Sequence, residues 1–178
     1  MRRIAAIVLA LLVTVAAGAA PAAARIPGGR YAIGDSVMVG AKDELTHRGF
    51  HVNAVKSRQF EDAVPIVRKR AAAGTLRRKV VIHLGTNKVI IQISDCDRIS
   101  KAATKRRHVY LVTITGPTRA TRKVQNARLR KCAKRHRNTS LLDWYGHSRG
   151  HSGWFYDRIH LTPRGQKAYA AFLDSRTS

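Results

Sequence analysis

The sequence predicts a three-layer α/β/α sandwich built on a five-stranded parallel sheet, and three observations carry that reading. Short β-branched runs alternate with longer amphipathic stretches from Tyr31 to the C-terminus. One run, Lys79-Val80-Val81-Ile82-His83-Leu84, is almost continuously apolar, as befits a strand covered on both faces. Polar clusters containing glycine follow the first and third runs directly, where open parallel sheets carry their functional groups.

The elements follow in order. Tyr31-Ala32-Ile33 is a strand ending in Gly34-Asp35-Ser36, and Val37, Ala41 and Leu45 then give helical spacing from Val37 to Arg48. His51 to Val55 alternates as a second strand. Phe60, Ala63, Val64 and Val67 share a helix face, and Pro65 moves that helix's start to about Asp62, since proline is tolerated in a first turn. Lys79 to Leu84 is the third strand, closed by Gly85-Thr86-Asn87. A weaker helix over about Ser94 to Thr104 leads to a fourth strand, Val109 to Ile114, and a basic helix spans Thr121 to His136. Ser140 to Trp144 is a short fifth strand, and Tyr145 to His160, rich in glycine and histidine, reads as a loop. Pro163 opens the last helix with Thr162 as its cap.

The N-terminus differs from the rest. Met1-Arg2-Arg3 runs into the apolar stretch Ile4 to Ala17, and Ala22-Ala23-Ala24 fits a small-residue cleavage site. Residues 1–24 are therefore expected to be a signal peptide cut after Ala24, with an uncleaved anchor as the alternative, and residues 25–178 one domain, secreted or associated with the cell wall. Of 34 basic residues only Arg2 and Arg3 leave with the leader, so against 10 acidic residues the mature net charge is +22. Such a charge points to anionic wall polymer or a membrane surface as partner; export and the lack of any RNA-binding signature exclude nucleic acid. A solvated basic surface is the alternative. Cys96 and Cys132 form the one pair that export would oxidise, two buried thiols being the other option.

Three clusters far apart in the chain fall where the architecture places a site. Ser36, directly after a strand and at a helix start, can present its oxygen above the sheet while its N–H helps bind a developing oxyanion. Asp157 and His160, three apart before the last helix, can point the same way, so that the carboxylate fixes the imidazole tautomer and leaves the other nitrogen for Ser36. Asn87 closes the third strand's cluster. His147 and His151 lack further ligands, so neither a metal nor another cofactor is expected. Trp154, Phe155 and Tyr156 either wall a substrate pocket or anchor the loop in the core.

On these residues the mature chain resembles the SGNH hydrolases, also called GDSL-type esterases. Gly34-Asp35-Ser36-Val37 is similar to their nucleophile block, Gly85-Thr86-Asn87 to their asparagine block, and Asp157 to Gly165 to their closing DxxHLTxxG block. Ser57-Arg58-Gln59 and Leu142-Asp143-Trp144 lean towards extracellular domains linked to O-acetyl transfer on cell-wall polysaccharide. The resemblance implies a flavodoxin-like sheet, a Ser36–His160–Asp157 triad, and an oxyanion hole from Ser36, Ser57 and Asn87. Substrate contacts are expected from Asp35, Arg58 and Trp154. Ser57 stands where the family usually has glycine, and Lys88 follows Asn87 where glycine is common. The implied function is a monomeric serine esterase acting on O-acyl carbohydrate or a small ester. A glycan O-acyltransferase and a non-catalytic cationic wall-binding module are the alternatives.

Overall fold

The computed structural model describes residues 28–87 and 89–178. The expected leader, with its cut after Ala24, and Lys88 lie outside the described residues.

Five strands form one sheet: β1 (Arg30–Gly34), β2 (Phe50–Ala54), β3 (Lys79–His83), β4 (His108–Val112) and β5 (Thr139–Leu142). All pairings are parallel and the order is β2-β1-β3-β4-β5, the flavodoxin-like arrangement. The chain reverses its direction of travel across the sheet between β1 and β3, so a crevice opens at their carboxyl ends. Gly34 pairs with Ala54 on one side and His83 on the other, which brings three loop starts to one edge.

Side-chain alternation along these strands builds two cores. Tyr31, Ile33, Val80, Ile82, Val109 and Leu111 point to the face covered by α3 (Ala63–Ala72), α4 (Ile93–Ala103) and α5 (Arg119–Arg135). Ala32, Val81 and Val112 point to the other face. There they meet α1 (Ser36–Gly40), α2 (Lys42–His47) and α7 (Pro163–Thr177), whose Met38, Leu45, Tyr169 and Leu173 are fully buried. Each face thus has its own helical layer. Cys96 of α4 and Cys132 of α5 are disulfide-bonded with their Cα atoms 5.8 Å apart. Closing a loop that spans 36 positions limits the unfolded chain and contributes about 4 kcal/mol in the chain-entropy description.

Two elements differ from expectation. The helix expected from Val37 to Arg48 is two helices, because α1 stops at Gly40 and the Ala41 N–H turns back to Val39 O before α2 begins. Glycine's poor helix propensity at the junction accounts for the break. The stretch Tyr145 to His160 is not wholly irregular: α6 (Trp144–Ser148) follows β5 at once, and a 3₁₀ turn covers Ser152–Trp154. Asp143 starts α6 by accepting the Gly146 N–H at 3.2 Å, and the buried Trp144 ring pins it to the α7 side of the sheet.

Candidate active site

Ser36 opens α1 with no intervening loop after β1. Asp35 makes that turn possible: it is fully buried, it caps α1 by accepting the Val37 N–H at 3.1 Å, and its other oxygen accepts the Thr86 hydroxyl. A cap of this kind stabilises a helix by about 1 kcal/mol. Asp35 thus corrects the expectation of a substrate contact, since its carboxylate is consumed inside the protein. It joins the turns after β1 and β3.

The second half of the site is a small hairpin. Phe155 and Leu161 form an antiparallel bridge, the Tyr156 N–H donates to His160 O at 2.8 Å, and Arg158 sits at the tip with φ +70°. The hairpin's base is tied to α7: Thr162 N–H donates to Trp154 O at 3.0 Å, and the Thr162 hydroxyl donates to Gly153 O while capping Gly165. Within the hairpin one Asp157 oxygen accepts the backbone N–H groups of Ile159 at 3.0 Å and His160 at 2.7 Å. Its other oxygen lies 2.7 Å from His160 Nδ1, and His160 Nε2 lies 3.0 Å from Ser36 Oγ. Ser36, His160 and Asp157 therefore form one hydrogen-bonded row from residues more than 120 positions apart.

Partial burial pushes the Asp157 carboxyl up, but the His160 ring and the two backbone N–H groups together outweigh it and hold the group at about 2. The carboxylate stays charged and accepts from Nδ1, so Nε2 is left to take a proton from Ser36. The row opens to solvent, with the Asp157 and His160 side chains 53% and 47% exposed.

The backbone N–H groups of Ser36 and Ser57 have no backbone acceptor among the described residues. Ser57 adopts φ +61°, the left-handed region that favours glycine, so the sequence departure at this position keeps a glycine-type backbone. The Asn87 amide donates to Arg58 O at 2.9 Å and has only a long, 3.5 Å contact with Asp35. The Gly85 turn at φ +117° positions Asn87, and a Cβ on Gly85 would meet Ile91 at 2.9 Å.

The other two expected substrate contacts serve the scaffold. Arg58 spends its guanidinium on Asn53 O at 2.5 Å, Asn53 Oδ1 at 3.0 Å and Gly34 O at 3.4 Å. It ties β2 to β1, and its carbonyl aims Asn87. The Trp154 ring stacks on buried Trp144 at 5.8 Å and on His151 at 3.9 Å, anchoring the loop rather than offering a platform. His147 and His151 serve the same aromatic cluster, His147 stacking on Phe172 at 4.7 Å. Sequence reasoning missed Thr86 and His83. His83 is buried on the α7 side with Nδ1 2.8 Å from Tyr169 OH, and burial holds it neutral down to about pH 4, opposed in part by Asp35. A histidine inside an otherwise apolar run was the signal available.

Beside Asp157 an open groove of about 740 Å³ runs past Phe155, Tyr156, Arg158, Arg149, Tyr145 and Arg122.

A Ser–His–Asp row at the carboxyl edge of a 2-1-3-4-5 sheet defines an SGNH-type serine hydrolase domain. Comparison with known proteins agrees and narrows the class. The chain is 35% identical over 143 residues to O-acetyltransferase OatA of Staphylococcus aureus (strain NCTC 8325 / PS 47), covering 76% of this chain and 23% of the relative. It is 32% identical over 150 residues to peptidoglycan O-acetyltransferase OatA of Listeria monocytogenes, covering 81% of this chain and 23% of that one. The chain thus spans about a quarter of the length of these curated relatives. Among solved structures, the C-terminal catalytic domain of Streptococcus pneumoniae peptidoglycan O-acetyltransferase A, with a methylsulfonyl adduct, superposes with a TM-score of 0.74 at 26% identity, covering 85% of this chain and 93% of that domain. A GDSL-like lipase from Bacteroides thetaiotaomicron shares the fold at a TM-score of 0.62 and 15% identity. No protein-family model matches. The chain belongs to the SGNH hydrolases and is a homologue of their serine esterase/O-acetyltransferase catalytic domains, OatA's among them.

Proposed function

We propose that the chain is an O-acyl esterase acting on acetylated glycan through a Ser36 acyl-enzyme. His160 Nε2 takes the Ser36 proton as Oγ attacks the ester carbonyl, and the tetrahedral oxyanion is met by the N–H groups of Ser36 and Ser57 and the Asn87 amide. The carbonyl re-forms, the sugar hydroxyl leaves with the proton from His160, and water, activated by His160 in turn, releases acetate and free Ser36. Asp157 keeps the imidazole oriented throughout. The observation that carries this reading is the continuous row from Ser36 Oγ to His160 at 3.0 Å and on to Asp157 at 2.7 Å. Its solvent exposure favours water as the acceptor. The reading that residues 1–24 are an export signal puts the substrate outside the cytoplasm.

Transfer is the second reading, favoured by the O-acetyltransferase names of the curated relatives. In transfer a glycan hydroxyl replaces water in the second step. Purified protein with p-nitrophenyl acetate is expected to turn over, and Ser36→Ala to lose about 10³-fold or more. Turnover unchanged in Ser36→Ala would sink the proposal. Adding a chito-oligosaccharide separates the two readings: acetate alone supports the esterase, acetylated sugar the transferase.

A further inference from the structure

The helix α5 carries eight basic residues among 17 and no acidic one. Arg119, Arg122, Lys123, Arg130, Lys131 and Lys134 line a single groove of about 720 Å³, a groove with no acidic residue in its wall. Two of these cations, Arg119 and Arg122, stand in or next to the first turn, where the helix dipole disfavours positive charge. Helix stability does not explain that placement. The positive end of the dipole and the arginines add instead to one attractive potential, at the carboxyl edge of the sheet where the triad lies. Arg122 and Tyr145 line both this groove and the one beside Asp157, so the two adjoin. Arg122 lies over the Tyr145 ring at 4.5 Å, at their junction.

The acids near this face hold few of its cations. Asp143 reaches Arg130 only at 3.8 Å, and Asp97 pairs with Arg135 at the far end. A second basic groove at the opposite pole, past Lys101, Lys105, Arg106 and Arg137, has a structural account. It lies at the carboxyl ends of α4 and α5, where cations offset the dipole. Its neighbours Lys79 and Arg107 are spent on the carbonyls of Thr177, Leu76 and Ala103.

We propose that the α5 groove is a docking track for a linear, base-free phosphate polymer, gripped through its phosphates, and that it leads this polymer's acylated units towards the groove beside Asp157. Arginine and lysine supply the charge, whereas sugar rings or nucleobases would need open aromatic faces, and the track's Tyr145 is covered by Arg122. At 1.5 Å per residue, Arg119 to Lys134 spans about 22 Å, enough for several successive phosphates. The delivery step rests on the proposed esterase site, whereas docking on α5 does not.

Binding of linear polyphosphate to the full chain, followed by fluorescence anisotropy across salt, tests the track. Six contacts predict a slope of about −4 in log affinity against log salt, hence a loss of about 250-fold between 50 and 200 mM. The combined change of Arg119, Lys123, Lys131 and Lys134 to Gln is expected to lower the slope's magnitude by about 3. The same change at Lys101, Lys105, Arg106 and Arg137 should leave most of it. Should the first combination not fold, Lys123→Gln and Lys131→Gln singly are each expected to remove about 0.7. An unchanged slope in the α5 variants, a larger loss from the opposite pole, or tighter binding of single-stranded DNA or polygalacturonate than of polyphosphate would overturn the track. p-Nitrophenyl acetate turnover by the unmodified protein reports on the esterase reading by itself, so the two can fail separately.

Discussion

Ser57 holds a left-handed backbone at φ +61°, and what the proposed oxyanion hole needs from it is an N–H rather than a hydroxyl. A residue with a Cβ costs about 1–2 kcal/mol there relative to its right-handed form, a cost glycine escapes. Ser57→Gly is therefore expected to keep turnover of p-nitrophenyl acetate within about threefold and to leave stability level or slightly higher, because glycine's extra unfolded-state freedom offsets the relief. Ser57→Val, stiff at Cβ, should lose about 1–2 kcal/mol and 10²–10³-fold in turnover by misaiming one oxyanion donor. Equal losses in both variants would mean that the hydroxyl, not the backbone, does the work. At this scale the sequence was readable where function is local: Asp157 and His160 are three apart, and their chain spacing already lets one carboxylate reach the ring. It was not readable for Asp35, Arg58 and Trp154. Their partners, Thr86, the carbonyls of Gly34 and Asn53, and the Trp144 ring, come from other elements and meet them only once sheet register is set.

Among the elements, the hairpin carrying Asp157 and His160 depends on how closely α7 approaches it. A Cβ on Gly165 would lie 2.0 Å from Trp154 O, the carbonyl that also accepts the Thr162 N–H. Gly165→Ala must push the first turn of α7 off the hairpin's base. A cost of about 2–3 kcal/mol follows from such overpacking, and a displacement near 1 Å at His160 is enough for about 10²-fold in kcat. Thermal unfolding and kcat on the same preparation check this; a lowered midpoint with kcat intact would show that the hairpin is held by other contacts. The strands and most helices were visible in the sequence because the alternation of β-branched and amphipathic stretches is itself the cause of the layering. The break at Gly40 and the helix α6 were not. Each is decided by a single junction, the Ala41 N–H turning back to Val39 and the Asp143 side chain accepting from Gly146, and neither leaves a periodic trace.

For the whole molecule, the sheet brings a buried histidine directly beneath the nucleophile turn, and this gives stability a pH dependence separate from catalysis. His83 pairs with Gly34 in the ladder, is fully enclosed, and leaves Nε2 without a partner among the described residues. Burial lowers its pKa from 6.5 to about 4. Above pH 6.5 the histidine is neutral in folded and unfolded chains alike. As pH falls below 6.5 the unfolded chain takes up a proton that the folded one refuses, so stability is lost steadily until about pH 4, where the folded form protonates too. The window of about 2.5 units is worth on the order of 3 kcal/mol. Asp97 and Asp157, both held at about 2, act lower down: their stabilisation is present above 3.8 and is lost as pH falls through about 2. His108 and His147 shift in the same direction as His83 through burial, so the slope of the unmodified protein sums several groups. The difference between that protein and His83→Gln isolates the one beneath Ser36. Urea unfolding at pH 7 and at pH 4.5 should show the variant losing about 2–3 kcal/mol less than the unmodified chain across that interval. Parallel losses would place the pH dependence in the other histidines and leave His83 a packing residue held to Tyr169.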